Sequence, residues 1–325
     1  MAARNRRLAK GLPALLAAVL VVAALSVLPR WTSAYVHSFV IALLTFVILA
    51  ESWNLFSGFT GYISLGHGVF FGVGVYAFAL TAKMHVPMPV ALLSGGVFAA
   101  ALAALFGAIF LRVKIKIAYF ALITLGLNEI VARVIENNAI LGGAQGTTTP
   151  LLPNPLIAYY YLLVLAVVMV IVAYLVQHSK LGLGLRAIRA DEVAAEVSGV
   201  NAFHHKFAVF LLSAVFPGLT GAMNVWYWSY TEPDTAFNIV RSFEMIIMTL
   251  FGGVGTIVGP VVGATVMGVL AEILSTSFPF LHAMIFGLLV VLIVVFRPGG
   301  LLEFARRVRV GASSWRPAPG PGTAR

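Results

Sequence analysis

Residues 177–206 read QHSKLGLGLRAIRADEVAAEVSGVNAFHHK, the longest clearly polar stretch in the hydrophobic body of the sequence. On either side lies an apolar run long enough to cross a bilayer, 156–177 before it and 207–228 after it. Gly182 and Gly184 are expected to loosen its entry, after which Leu185, Ala187 and Ile188 alternate with Arg186 and Arg189. Asp191 is placed to N-cap a second short helix, with Glu192 at that helix's positive end. Val193, Ala194 and Val197 give this helix a small apolar face, and Gly199 stands where a left-handed C-cap is expected. The stretch is too short for a domain and too patterned for a slack linker. It predicts a compact helix-turn-helix at a membrane surface, a docking element suited to a protein rather than a small molecule.

Working outward, composition makes the bilayer the solvent for most of the chain. Of 325 residues, 61% are hydrophobic and only 10% charged, and the mean hydropathy is +1.00, more apolar than a soluble domain needs. The net charge of +10 does not indicate nucleic acid, because the basic residues sit at the ends of apolar segments rather than among aromatics on a soluble face. Cysteine is absent, which removes disulfides, thiolate chemistry and cysteine-ligated metals.

The reading is an all-α polytopic membrane protein with about ten spans, near 12–28, 35–56, 61–82, 88–111, 117–137, 156–177, 207–228, 239–252, 256–274 and 279–296. A cleaved signal peptide, cut at Thr32-Ser33-Ala34, competes for the first run, but a further apolar segment follows at once and favours an uncleaved span. With the N-terminus inside, the inner segments hold 17 Lys and Arg against 2 outside, namely Arg30 and Lys83. Both termini and the docking stretch are therefore expected on the cytoplasmic side. The division is 1–11 as a cytoplasmic N-terminus, 12–177 as six spans, 178–206 as the cytoplasmic loop, 207–297 as four spans and 298–325 as a cytoplasmic, partly disordered tail. The stretches 57–74 and 239–252 stand out as re-entrant or broken alternatives.

Several polar groups interrupt the apolar body. The segment NLFSGFTGYISLGHGVFFGVG over 54–74 carries Gly68 and Gly72 as a GxxxG, which favours close helix packing. Its sharper reading is a discontinuous helix lining a pathway, with Asn54, Ser64 and His67 as polar groups and Asn128 beside Thr124 on a later span. Glu129 with Arg133, and Arg241 with Glu244, are spaced to neutralise each other within one helix and read as structural pairs. Gly142-Gly143-Ala144-Gln145-Gly146-Thr147 is turn chemistry that also suits an external mouth, and Trp226, Trp228 and Tyr230 read as an interface belt. No phosphate loop, H-E-x-x-H, G-x-S-x-G or acidic ladder through the spans is present. No catalytic or metal-ligating set remains, so no cofactor is expected on this chain. A transport protein with a docking loop and no engine takes its engine from another subunit.

Successive motifs carry a resemblance over roughly 40–302. They are Asn54-Leu55 through Ser64-Leu65-Gly66-His67 and Phe70-Phe71-Gly72, then Tyr119-Phe120-Ala121-Leu122 and Gly142-Gly143. Leu185-Arg186-Ala187-Ile188-Arg189 follows, through Ala194-Ala195-Glu196 to Gly199-Val200-Asn201. Gly252-Gly253-Val254-Gly255-Thr256 with Gly259-Pro260 and Arg297-Pro298-Gly299-Gly300-Leu301 complete the order. In this order the chain resembles the LivM-type permease subunit of bacterial ABC importers for branched-chain amino acids.

The resemblance implies that the docking stretch is a coupling helix seated in an ATPase groove. Arg186, Arg189, Asp191, Glu192 and Glu196 would be its polar contacts, with Ala194, Ala195 and Gly199 allowing close approach. It further implies two ATPase subunits that use ATP, a second related permease subunit, a periplasmic or lipid-anchored binding protein, and an inner-membrane location. Gln145 stands where the family usually has Asp, and Leu183 where a basic residue is common. The first departure bears on the substrate. The rivals are the same architecture carrying urea, a short amide, a sugar or a nucleoside, and a stand-alone channel or secondary transporter.

Overall fold

In lipid a backbone polar group has no water to satisfy it, so an apolar run closes its own hydrogen bonds as a helix. In the computed structural model, which describes residues 16, 18–113, 115, 117–277 and 287, almost every apolar run does so. The elements are α1 (Ala18–Arg30), α2 (Ala34–Trp53), α3 (Val69–Lys83), α4 (Met88–Phe110), α5 (Ile117–Glu136) and α6 (Pro155–His178). They continue as α7 (Lys180–Ala190), α8 (Glu192–Val197), α9 (Ala202–Trp228), α10 (Pro233–Ala236), α11 (Ile239–Gly252) and α12 (Val258–Ser277). Two short strands, β1 (Thr147–Thr148) and β2 (Tyr230–Thr231), pair antiparallel with Thr147 opposite Thr231.

Among the described residues six helices are long and apolar enough to cross a membrane, which supports a polytopic chain without confirming the expected ten spans. They are α2 with its continuation to Gly58, α4, α5, α6, α9 and α12. Two expected spans fall short for physical reasons. The helix expected over 61–82 starts only at Val69, because 61–68 is unwound. The 14 residues of α11 rise about 21 Å, less than the hydrocarbon core of about 30 Å. Residues 1–11 and 298–325 lie outside the described residues, as do the span at 279–296, apart from residue 287, and residues 12–15 and 17 of the span at 12–28, whose described part is the short helix α1.

The interior is organised around α9, which packs against α3 and α4, while α2 joins that group to α6, α11 and α12. Small residues let α3 and α9 meet backbone to backbone. A Cβ on Gly74 would lie 2.0 Å from the Gly218 carbonyl oxygen, and one on Gly221 would lie 2.1 Å from that of Phe71, so only glycine allows α3 and α9 this approach. The expected GxxxG contact is therefore displaced. Gly68 lies just before α3 and faces Ser242, and Gly72 lies under the ring of Phe237.

Gly182 and Gly184 do not loosen the loop entry. Both lie inside α7, where a Cβ on Gly182 would meet the Val176 carbonyl at 2.2 Å and one on Gly184 would meet His205 at 2.4 Å. They let α7 fold back against the end of α6 and the start of α9.

Candidate functional site

The helix started by α2 does not simply end. Residues Asn54–Gly58 form a π turn, Phe59 and Thr60 close the helix, and the chain then runs unwound from Gly61 to Gly68. Irregular backbone at membrane depth must find its partners in protein, and here side chains supply them. Ser57 Oγ accepts from the Ser64 N–H at 3.2 Å, and Trp53 Nε1 donates to the Ser64 carbonyl at 2.8 Å. Thr124 Oγ1 accepts from Leu65 N–H at 3.0 Å, and Ser242 Oγ from Gly68 N–H at 2.9 Å. A second interruption, between α11 and α12, is tied to the first by Asn54. Its Oδ1 accepts from Gly255 N–H and its Nδ2 donates to the Thr256 carbonyl, both at 2.8 Å.

A third backbone defect lies in α9. Pro217 has no N–H for the Ser213 carbonyl, and Ser52 Oγ donates to that carbonyl at 2.6 Å instead. With its proton so committed, the Ser52 oxygen is left to accept from His67 Nε2 at 3.1 Å. Asn128 Nδ2 donates to the Phe237 carbonyl at 2.7 Å.

The loop 178–206 is two helices joined at Asp191, whose carboxylate accepts from Ala194 N–H at 3.0 Å and caps α8. Gly199, at φ +88°, ends α8. Its N–H donates to Glu196 and that of Val200 to Ala195, the paired bonds of a Schellman close. Ala195 is only 4% exposed and packs with Ile188 and Ala202 inside the loop.

The loop is bound to the unwound segment at two points. Arg189 Nη1 donates to the Gly58 carbonyl, and its side chain also lies against Gly61 and Gly255, both at positive φ. Glu192 pairs with Lys206 at 2.5 Å and accepts from the Tyr62 hydroxyl at 2.6 Å. The Lys206 ammonium also reaches the Tyr62 oxygen at 3.3 Å and sits 4.4 Å from the centre of its ring.

At the far end of α9 a cavity of about 470 Å³ lies between α2, α3, α9 and α11. Ile41, Phe46, Leu49 and Val75 supply apolar wall, and Asn224, Arg241 and Glu244 supply polar groups. Trp228 and Tyr230 line it too, and the Tyr230 hydroxyl donates to the Gln145 carbonyl at 3.0 Å. The glycine loop is thus fastened to the strand that borders the mouth.

Residues 35–294 match the family described as branched-chain amino acid transport system / permease component. The chain belongs to that family. The permease is 28% identical over 298 residues to the high-affinity branched-chain amino acid transport system permease protein LivM of Escherichia coli strain K12, covering 80% of this chain and 68% of that protein. It is 25% identical over 219 residues to a probable branched-chain amino acid transport permease protein LivM of Methanocaldococcus jannaschii, covering 60% and 64%. Ribose import permease protein RbsC of Escherichia coli strain K12 is 29% identical over 138 residues, 41% of each chain. No solved structure matches. The permease is accordingly a membrane-embedded transport subunit of the ABC-importer kind.

Set against the sequence reading, the permease brings together Asn54, Ser64 and His67 around the unwound segment, with Asn128 buried nearby on α5. None of the four borders the cavity. Of the docking residues, Arg186 bonds back to the Gln177 carbonyl at 3.1 Å, while Arg189 and Glu192 turn toward the membrane segment. Ala195 is enclosed, so it offers a partner no surface for close approach. The surface α8 does present is Val193, 72% exposed, and Val197, 86% exposed, together with Ala194, and Gly199 just beyond it is exposed as well.

The expected pair Arg241–Glu244 does not close to ion-pair distance, since the guanidinium instead lies 3.8 Å over the ring of Phe71. The expected pair Glu129–Arg133 does form, at 3.9 Å, and Arg133 also bonds to Glu136. Trp226 is core, packed on Phe78 at 5.7 Å, rather than part of a belt. Sequence reasoning missed Glu51, fully buried one turn before the π turn, although a lone acid in an apolar run was its signal.

Proposed function

We propose that this permease carries branched-chain amino acids across the bacterial inner membrane as one of two pathway-forming subunits of an ATP-driven importer. Its loop 178–206 faces the cytoplasm and docks on an ATPase, two of which drive the assembly. A second related permease completes the pathway, and an external binding protein delivers the substrate. The chain itself binds no cofactor.

The observation that carries this reading is the double anchorage of the loop. Arg189 on the Gly58 carbonyl and Glu192 on Tyr62 and Lys206 join the docking helices to the unwound segment of the bundle. A displacement of the loop is therefore delivered to the part of the membrane domain with the fewest backbone ladder bonds, framed by Asn54, Ser64, His67 and Asn128. Alternating access follows as that segment and its neighbours shift between two packings. A stand-alone channel has no use for such an anchored external handle.

The test is isolation in mild detergent followed by leucine uptake into proteoliposomes. Co-purification of ATPases and a second permease, with uptake that needs ATP, is expected. Uptake by the chain alone without ATP overturns the proposal. The likeness to a ribose import permease favours a sugar as the second cargo to try.

A further inference from the structure

The cavity at the far end of α9 holds two opposite charges that form no ion pair with each other, the Arg241 guanidinium lying on the Phe71 ring. Arg241 spends one N–H on the Thr235 carbonyl at a long 3.4 Å, and its buried Nε has no hydrogen-bond partner among the described residues. A guanidinium carries five such donors. Glu244 accepts no hydrogen bond from a described residue, and although it stands one helical turn from Arg241 the two form no ion pair. Opposite charges held apart in a recess with Phe46, Phe71 and Val75 in its walls are costly unless something lies between them.

The geometry points to that something as a free amino acid, with Arg241 receiving its α-carboxylate and Glu244 its α-ammonium. This assignment rests on the import reading above and locates the substrate within it. The two charges of such a zwitterion are borne by groups on one α-carbon, so it bridges side chains spaced one turn apart. Its aliphatic side chain then meets Ile41, Phe46 and Leu49. The volume of about 470 Å³ falls within the range of about 300–1,000 Å³ usual for small-molecule sites.

The position suits reception from outside the cell. The cavity lies beside Val225 and Trp228, and α9 runs about 40 Å from there to its start at the docking loop. A neutral sugar or urea supplies neither charge and would leave both side chains desolvated and unpaired, which is how a polar site rejects the wrong cargo.

The experiment uses the assembled importer in proteoliposomes, reading leucine uptake and ATP hydrolysis together. Arg241→Gln and Glu244→Gln are each expected to keep binding-protein-stimulated ATP hydrolysis while leucine carried per ATP falls by at least about tenfold, the scale of one hydrogen bond to a charged group. Arg241→Lys keeps a cation and is expected to recover part of the loss. Unchanged leucine per ATP in both neutral variants overturns the assignment. So does a parallel fall of hydrolysis and uptake with Arg241→Lys no better than Arg241→Gln, which would make the two residues structural. A wild-type importer that couples ATP to another cargo and never to leucine overturns the import reading instead.

Discussion

The Glu192–Lys206 pair gives the anchorage of the docking loop an asymmetric signature. Lys206 has 1% of its side chain exposed and Glu192 has 22%. Glu192→Ala takes from the interior ammonium its 2.5 Å carboxylate and leaves it the neutral Tyr62 oxygen at 3.3 Å and a ring face. Removing one member of a buried pair costs about 3–5 kcal/mol, because the other charge stays behind uncompensated. Lys206→Met leaves a carboxylate that already touches solvent and still accepts from Tyr62 at 2.6 Å. That loss is the scale of a hydrogen bond to a charged group, about 1.5–3 kcal/mol, and methionine refills most of the apolar stem.

Amide exchange in the loop measures the difference, since the cheapest way to hydrate Lys206 is to open α8 and expose it. The N–H groups of Ala195 and Val200, bonded to Asp191 and Ala195, report that opening. At about 1.4 kcal/mol per decade, Glu192→Ala is expected to lower their protection by about 100- to 4,000-fold, and Lys206→Met by roughly ten- to a hundred-fold. Equal losses, or a larger loss in Lys206→Met, would refute the reasoning that the buried cation sets the anchorage.

Three further outcomes are expected. Arg189→Ala, which removes the donor to the Gly58 carbonyl, should leave ATPase co-purification intact and lower uptake per ATP about tenfold; unchanged coupling in the assembled importer would exclude this tether. Val193→Asp with Val197→Asp changes only exposed positions, so folding should hold within about 0.5 kcal/mol while ATPase co-purification is lost. Retained co-purification would place the docking contact elsewhere, and Ala195→Arg is no substitute test because it bursts the loop's own core. Gly66→Ala should abolish yield, its Cβ falling 1.7 Å from the Thr124 carbonyl, whereas Gly126→Ala, with nothing within 4 Å, should raise thermal stability slightly. The membrane yield of Gly66→Ala and the thermal melting of purified Gly126→Ala decide it.

What was legible in the sequence was what local chemistry fixes. Asp191 and Gly199 bound α8 as read, because an N-cap and a left-handed C-cap depend on a few consecutive residues. The apolar runs likewise gave helices. What was not legible depends on partners far along the chain. The spacing of Arg241 and Glu244 suggests mutual neutralisation, but Phe71, which comes from α3, competes for the guanidinium. The glycines of 58–74 signal an interruption without saying where it falls. Its bounds follow from Thr124 on α5 and Ser242 on α11, which satisfy Leu65 and Gly68. Gly182 and Gly184 look like slack until the end of α6 and His205 are seen packed against them.

The same satisfaction of broken backbone determines how the parts act on each other. Asn54 joins the π turn to the interruption after α11, Gln177 reaches that interruption through the Gly255 carbonyl at 3.4 Å, and Arg189 lies against both. A push on the docking loop therefore bears on two unwound segments at once. The rigid element leading away from them is α2, which carries the π turn at its C-terminal end and lends Ser38, Thr45 and Leu49 to the cavity nearer its start. From Ser38 to Asn54 it rises about 24 Å. Under the proposed mechanism a small rotation at the π turn moves one wall of the cavity relative to Arg241 and Glu244 on α11, which changes the fit of whatever lies between them without any helix having to melt.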